Sequence, residues 1–89
     1  MAKRERLEVI CDILRVIRDS NNRIKPTRLL YASNLSPQMF KEYIEELTAK
    51  GFVGQSESQG RKTFSLSDKG FEFLKKYREM MEFIRDFGL

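Results

Sequence analysis

Residues 25–50 read KPTRLLYASNLSPQMFKEYIEELTAK, and the punctuation in this stretch decides the fold. Pro26 suits a first helical position, because its missing N–H would be unpaired there anyway. The spacing predicts a short helix over residues 26–33, with Leu29, Leu30 and Ala32 on its buried side. Asn34 and Leu35 form a turn. Ser36 is a good N-cap and Pro37 a good first residue for a second helix reaching about Lys50. Phe40, Tyr43, Ile44 and Leu47 recur at helical spacing and supply its inner face. Gly51 stands where a helix C-terminus favours a left-handed residue.

Working outward, Leu7, Ile10, Leu14 and Ile17 define one face of a first helix from about Lys3 to Ser20, and Val9, Ile13 and Val16 widen it. Ser20, Asn21 and Asn22 end it. Residues 52–57 and 61–66 read as two strands around Ser58, Gln59 and Gly60, with Phe64 and Leu66 alternating with Thr63 and Ser65. Ser67 can cap a last helix to about Phe87. The fold class expected is mainly α with a small β-hairpin. Helix, helix, helix, hairpin, helix is the order of a winged helix-turn-helix with an added C-terminal helix.

Eighty-nine residues allow one small core. The chain carries 17 Lys and Arg against 13 Asp and Glu, net +4. Residues 1–33 hold eight basic and four acidic side chains, so the positive field belongs to the N-terminal third. Basic domains attract polyanions. In a helix-turn-helix the second helix of the pair can enter a DNA major groove with its N-terminal half leading. On it, Gln38, Lys41, Glu42 and Glu45 point away from the apolar face. Gln38 is suited to an adenine edge and Lys41 to guanine or a phosphate. Glu42, Glu45 and Glu46 make this helix net acidic, which favours an alternative reading: a winged helix that docks another protein and never touches DNA.

Phosphate contact is open to Lys25, Thr27 and Arg28 at the start of the first helix of the pair, where free N–H groups favour anions. Arg61 and Lys62 at the hairpin tip can reach a neighbouring groove, and Lys3, Arg4 and Arg6 form a third basic cluster. Tyr31, Tyr43 and Tyr77 are expected in core packing, and Cys11 as a buried small hydrophobe.

The chain has one cysteine and no histidine. A lone Cys11 excludes an internal disulfide and a cysteine-built zinc site, and the commonest general base is missing. There is no Gly-rich phosphate loop and no clustered set of metal ligands, so an enzyme, a cofactor and a metal are not expected. No apolar run approaches roughly 18 residues and no signal-peptide core is present. The expectation is a soluble cytoplasmic protein without a membrane partner.

In the last helix Phe71 and Leu74 are expected to close the domain's own core. Phe73, Tyr77, Met80, Ile84 and Phe87 follow a spacing of four, three, four and three, a heptad seam over two repeats. Met81 and Phe83 widen it. An apolar stripe this far along marks an interface, and a homodimer is expected.

The run from Pro26 to Ser36, with Tyr43-Ile44 and Leu47 following, resembles small archaeal winged-helix proteins. These are the ten-kilodalton DNA-binding proteins grouped with archaeal winged-helix transcriptional regulators. The likeness extends to Met1-Ala2-Lys3-Arg4, to Gly51-Phe52-Val53 and to Phe64-Ser65-Leu66-Ser67-Asp68-Lys69-Gly70. The resemblance implies non-catalytic binding of double-stranded DNA as a homodimer, joined by an antiparallel pairing of C-terminal helices. It implies a regulatory or chromatin-associated role at the nucleoid. Residues 1–68 would form the DNA-binding domain, and residues 67–89 a coiled-coil dimer helix. The DNA contacts expected are Lys25, Thr27, Arg28, Ser36, Gln38, Lys41, Arg61 and Lys62.

Overall fold

A computed structural model describes residues 5–89. The elements are α1 (Arg6–Asp19), α2 (Pro26–Ser33), α3 (Pro37–Ala49), β1 (Val53–Ser58), β2 (Arg61–Leu66) and α4 (Asp68–Asp86). This is the expected order. The start of the first helix expected at Lys3 lies outside the described residues, and the first strand begins at Val53 rather than residue 52.

The helix ends behave as their sequences dictate. Ser36 accepts from the N–H of Met39 at 3.2 Å, capping α3, and Ser67 accepts from the N–H of Gly70 at 3.2 Å, capping α4. Behind α3, Gly51 has φ +81. Its N–H donates to Thr48 O at 3.1 Å and the N–H of Phe52 to Leu47 O at 2.9 Å, the paired bonds of a glycine-terminated helix. Asn34, at φ +57, turns the chain from α2 into α3.

The core is one cluster. Val9, Ile10, Cys11, Ile13, Leu14 and Ile17 of α1 meet Leu29 of α2, Ile44 and Leu47 of α3, and Val53, Phe64, Leu66 and Leu74. A helix apolar over so wide an arc is contacted from several sides, and α1 forms the centre of the domain. Cys11 is buried as expected, and burial pushes its thiol pKa up.

Four expectations about faces are corrected, the first being Tyr31, expected in core packing and found 79% exposed. In α2 the buried pair is Leu29 and Ser33, four residues apart, while Leu30 is half-buried and Ala32 exposed. Ser33 is tolerated inside because its hydroxyl donates to Leu30 O at 2.8 Å. Leu7 is 48% exposed, since α1 begins before the core does. In α4, Phe71 is 40% exposed, while Phe73 turns inward. Its ring meets Phe52 edge-on with centroids 5.6 Å apart and stacks on Tyr77 at 6.1 Å.

The hairpin pairs Val53 with Leu66 through Ser58 with Arg61. Gln59 (φ +52) and Gly60 (φ +74) make the two-residue loop, whose positive dihedrals match the strand twist. The other edge of β2 is also occupied. Ile24 N–H donates to Phe64 O at 3.1 Å, and Phe64 N–H to Ile24 O at 2.8 Å. Two residues earlier Asn22, at φ +57, accepts from Leu66 N–H at 2.6 Å through Oδ1 and donates to Leu66 O at 3.4 Å through Nδ2. The α1–α2 connection is thereby clamped along the wing.

Candidate nucleic-acid interface

The clamp at Asn22 and Ile24 decides where the charges go. Arg23 and Lys25 flank buried Ile24 and are both exposed, as alternation along an extended segment requires. Pro26 then starts α2 and sets Arg28 one turn past Lys25. On β2, Arg61 and Thr63 share one face and Lys62 and Phe64 the other. The result is a concavity of about 580 Å3 walled by Arg23, Lys25 and Arg28 on one side and Arg61 and Thr63 on the other.

Four cations converge there. The one acid on the lining is Asp19, which already accepts from Arg18 at 3.0 Å. Among the described residues, Arg23, Lys25, Arg28 and Arg61 have no ion-pair partner. Four like charges on one concavity repel one another, a repulsion that a bound anion would relieve. Lys25 caps α2 without a side-chain bond and Pro26 has no N–H. The next N–H groups, those of Thr27 and Arg28, have no backbone partner among the described residues, and Arg28 lines the cleft.

The structure thus brings together Lys25, Arg28 and Arg61, which the sequence marks separately, while Thr27 is exposed on α2 but does not line the cleft. It adds Arg23, which the sequence reading misses. The polar–apolar–polar alternation over residues 23–25 was the available signal. Lys62 is turned to the opposite face of the hairpin, where its cross-strand neighbour is Glu57. Of the N-terminal basic group, Lys3 and Arg4 lie outside the described residues. Arg6 is ion-paired to Glu46, with its guanidinium 5.9 Å from the Tyr43 ring centroid.

On α3, Gln38, Lys41, Glu42 and Glu45 are all exposed, as expected. Their polar groups are partly engaged with one another. Gln38 Nε2 donates to Glu42 at 3.1 Å, Lys41 lies 3.9 Å from Glu45, and Glu46 accepts from Lys50 at 2.9 Å. Lys50 and Arg6 hold the Glu46 carboxyl below its usual pKa. Exposed pairs of this kind contribute little stability. Glu45 and Glu46 have cationic partners, Glu46 from outside α3, while Glu42 is bonded only to the neutral Gln38 amide and keeps its negative charge. Ser36 serves as the cap of α3, its hydroxyl oxygen accepting from the N–H of Met39.

The C-terminal half of α4 projects beyond the core, and the molecule measures 50 × 30 × 21 Å. Met80, Met81, Phe83 and Phe87 are 44–69% exposed, and Phe83 and Phe87 pack at 4.9 Å. A groove of about 610 Å3 runs between this half and the start of α1, with Leu7, Tyr77, Met80, Met81 and Ile84 as its apolar walls. Of the five expected seam residues, Phe73 and Tyr77 pack against the domain's own core, and Met80, Ile84 and Phe87 continue the stripe outward. Among the described residues no helix is long and apolar enough to cross a membrane. Nor does any group of three or more His, Cys, Asp or Glu gather as a metal would require.

A three-helix core closed by a two-stranded hairpin, with a cationic cleft between them, defines a winged helix. The chain belongs to the winged helix-turn-helix family, whose model matches residues 3–85. Uncharacterized protein MJ0287 of Methanocaldococcus jannaschii is 34% identical over 80 residues, covering 90% of this chain and 76% of that one. Among solved structures the fold is similar to Sso10a-2, a DNA-binding protein from Sulfolobus solfataricus, with TM-score 0.75 and 20% identity. That match covers 94% of this chain and 85% of Sso10a-2. F93 from STIV, a winged-helix DNA-binding protein, also matches with TM-score 0.75 and 20% identity, covering 90% of this chain and 92% of F93. These three are archaeal or viral, in keeping with the resemblance read from the sequence. The fold is also similar to bacterial proteins such as MarR from E. coli, with TM-score 0.72 and 18% identity.

Proposed function

We propose that this protein binds double-stranded DNA as a homodimer, gripping the backbone through the cleft between α2 and the wing. The observation that carries this reading is the convergence of Arg23, Lys25, Arg28 and Arg61, which have no acidic partners of their own among the described residues. Phosphate contacts fix position and carry no base identity. With Gln38 and Lys41 engaged inside α3, affinity rests on the backbone more than on base edges. Such binding tolerates many sequences and suits a chromatin-associated role; a regulatory role would need α3 to exchange its internal pairs for bases. The protein acts without catalysis or cofactor, at the nucleoid in the cytoplasm. The similarity to DNA-binding winged-helix proteins supports the reading.

The second copy covers the outer half of α4. Met80, Ile84 and Phe87, widened by Met81 and Phe83, form an apolar stripe too far from the core to be buried within one protomer. Antiparallel pairing of two α4 helices would bury it. Residues 1–68 then serve as the DNA-binding unit and residues 67–89 as the pairing helix, with Phe73 and Tyr77 joining the two. The test is a fluorescence-anisotropy titration on random and on genomic duplexes at two salt concentrations, alongside sedimentation of the free protein. Salt-sensitive binding of both duplexes by a dimer is expected. Absence of binding at low salt would refute the reading.

A further inference from the structure

The Tyr31 side chain has no place in the core, the cleft or the α4 stripe. Tyr31 is 79% exposed, although it lies inside a helix. Leu29 and Ser33 are the buried residues of α2, and Tyr31 stands midway between them, so its ring points directly away from the interior. Among the described residues neither its ring nor its hydroxyl has a partner. Its backbone is well held: Tyr31 O accepts from the N–H of Asn34 at 3.3 Å, in the turn that leads to α3. A large aromatic displayed on a rigid support, at the edge of a charged cleft, is placed for contact with a partner.

Its neighbours say which partner. Lys25, Arg28 and Tyr31 follow one another at intervals of three residues, so they form one row along the outer side of α2. Arg28 lines the cleft and Tyr31 lies nearly one turn, about 4.5 Å along the axis, further on. The row leads from the cleft towards Ser36 and Gln38 at the start of α3.

Resting on the reading of the cleft as a DNA-backbone site, we propose that Tyr31 extends this site. Its hydroxyl donates to the phosphate next to the one held by Arg28, and its ring lies against the adjoining deoxyribose. Tyr31 therefore fixes where the strand leaves the cleft and enters the groove beside α3. As a neutral donor it neutralises no phosphate and displaces no counterion.

This separates its role from that of the cations. In duplex titrations Tyr31→Phe weakens binding about tenfold, as for loss of one hydrogen bond to a charged group, with the slope of log affinity against log salt unchanged. Arg28→Ala lowers that slope by about 0.9. Tyr43 and Tyr77 are half-buried and the chain has no tryptophan. The change in tyrosine fluorescence on adding duplex is then lost in Tyr31→Phe. The substitution is at an exposed position, so the melting temperature serves as a control and stays within a degree or two of the unmodified protein. Unchanged affinity in Tyr31→Phe overturns the assignment, whether or not Tyr31→Ala weakens binding. A fall in salt slope in Tyr31→Phe overturns it too. If Arg28→Ala is weakened while both Tyr31 variants bind normally, the cleft stands and the extension fails. If the unmodified protein binds no duplex at any salt, both fail.

Discussion

Replacing Arg61 with Ala tests the cleft most directly, because Arg61 is its one cation from the wing and the other three come from the α1–α2 connection and the first turn of α2. Each phosphate neutralised on a duplex contributes about 0.9 to the slope of log affinity against log salt. Four cations therefore give a slope of about −3.6 per protomer, and raising salt fourfold costs about 150-fold in affinity. Arg61→Ala should reduce the slope to about −2.7 and weaken random and genomic duplexes by the same factor, since a phosphate has no base identity. Lys62→Ala should alter the slope less, because Lys62 is on the far face of the hairpin opposite Glu57. Lys41→Ala is the internal control, as Lys41 lies beside Glu45 on α3. Anisotropy titrations at four or five salt concentrations read all three slopes. If Arg61→Ala and Lys41→Ala change the slope equally, the cleft is not where phosphate binds. If Arg61→Ala weakens one duplex much more than another, Arg61 reads bases and the backbone argument fails.

Three further outcomes follow from the packing. Replacing Ile84 with Glu should leave the monomer folded but abolish the dimer in sedimentation, with much weaker DNA binding; a dimer that survives the charge would place the interface elsewhere. Gly70→Ala should be destabilising, because an added Cβ would lie 2.5 Å from Phe52 O, a backbone atom, and 3.3 Å from Leu66. The overpacking exceeds the gain in helix propensity by about 1 to 2 kcal/mol, or about 5 to 12 °C in Tm, and an unchanged melt would refute the close approach. Asn22→Ala should cost about 2 to 3 kcal/mol, since it loses both bonds to Leu66 and places alanine at φ +57. Asn22→Gly keeps the dihedral accessible and should cost less; equal urea midpoints for the two would show that the dihedral contributes nothing.

The order of elements was legible in the chain because local chemistry sets it. Pro26 and Pro37 can only start helices there, Ser36 and Ser67 are caps, and Gly51 and Gly60 take positive dihedrals. Heptad spacing likewise marked the outer half of α4. Tertiary structure decided which faces those elements buried. A helical repeat alone does not distinguish Phe71 from Phe73, because both lie near the apolar stripe; the position of Phe52 turned the second inward. Nor does it place Tyr31, since in a helix of eight residues one buried row, Leu29 and Ser33, leaves the opposite side to solvent. The cleft itself is wholly tertiary. Arg23 and Arg61 are 38 positions apart, and they meet because Asn22 and Ile24 bond to Leu66 and Phe64. Composition established that the N-terminal third is basic, but charge has no address until backbone hydrogen bonds bring distant segments side by side.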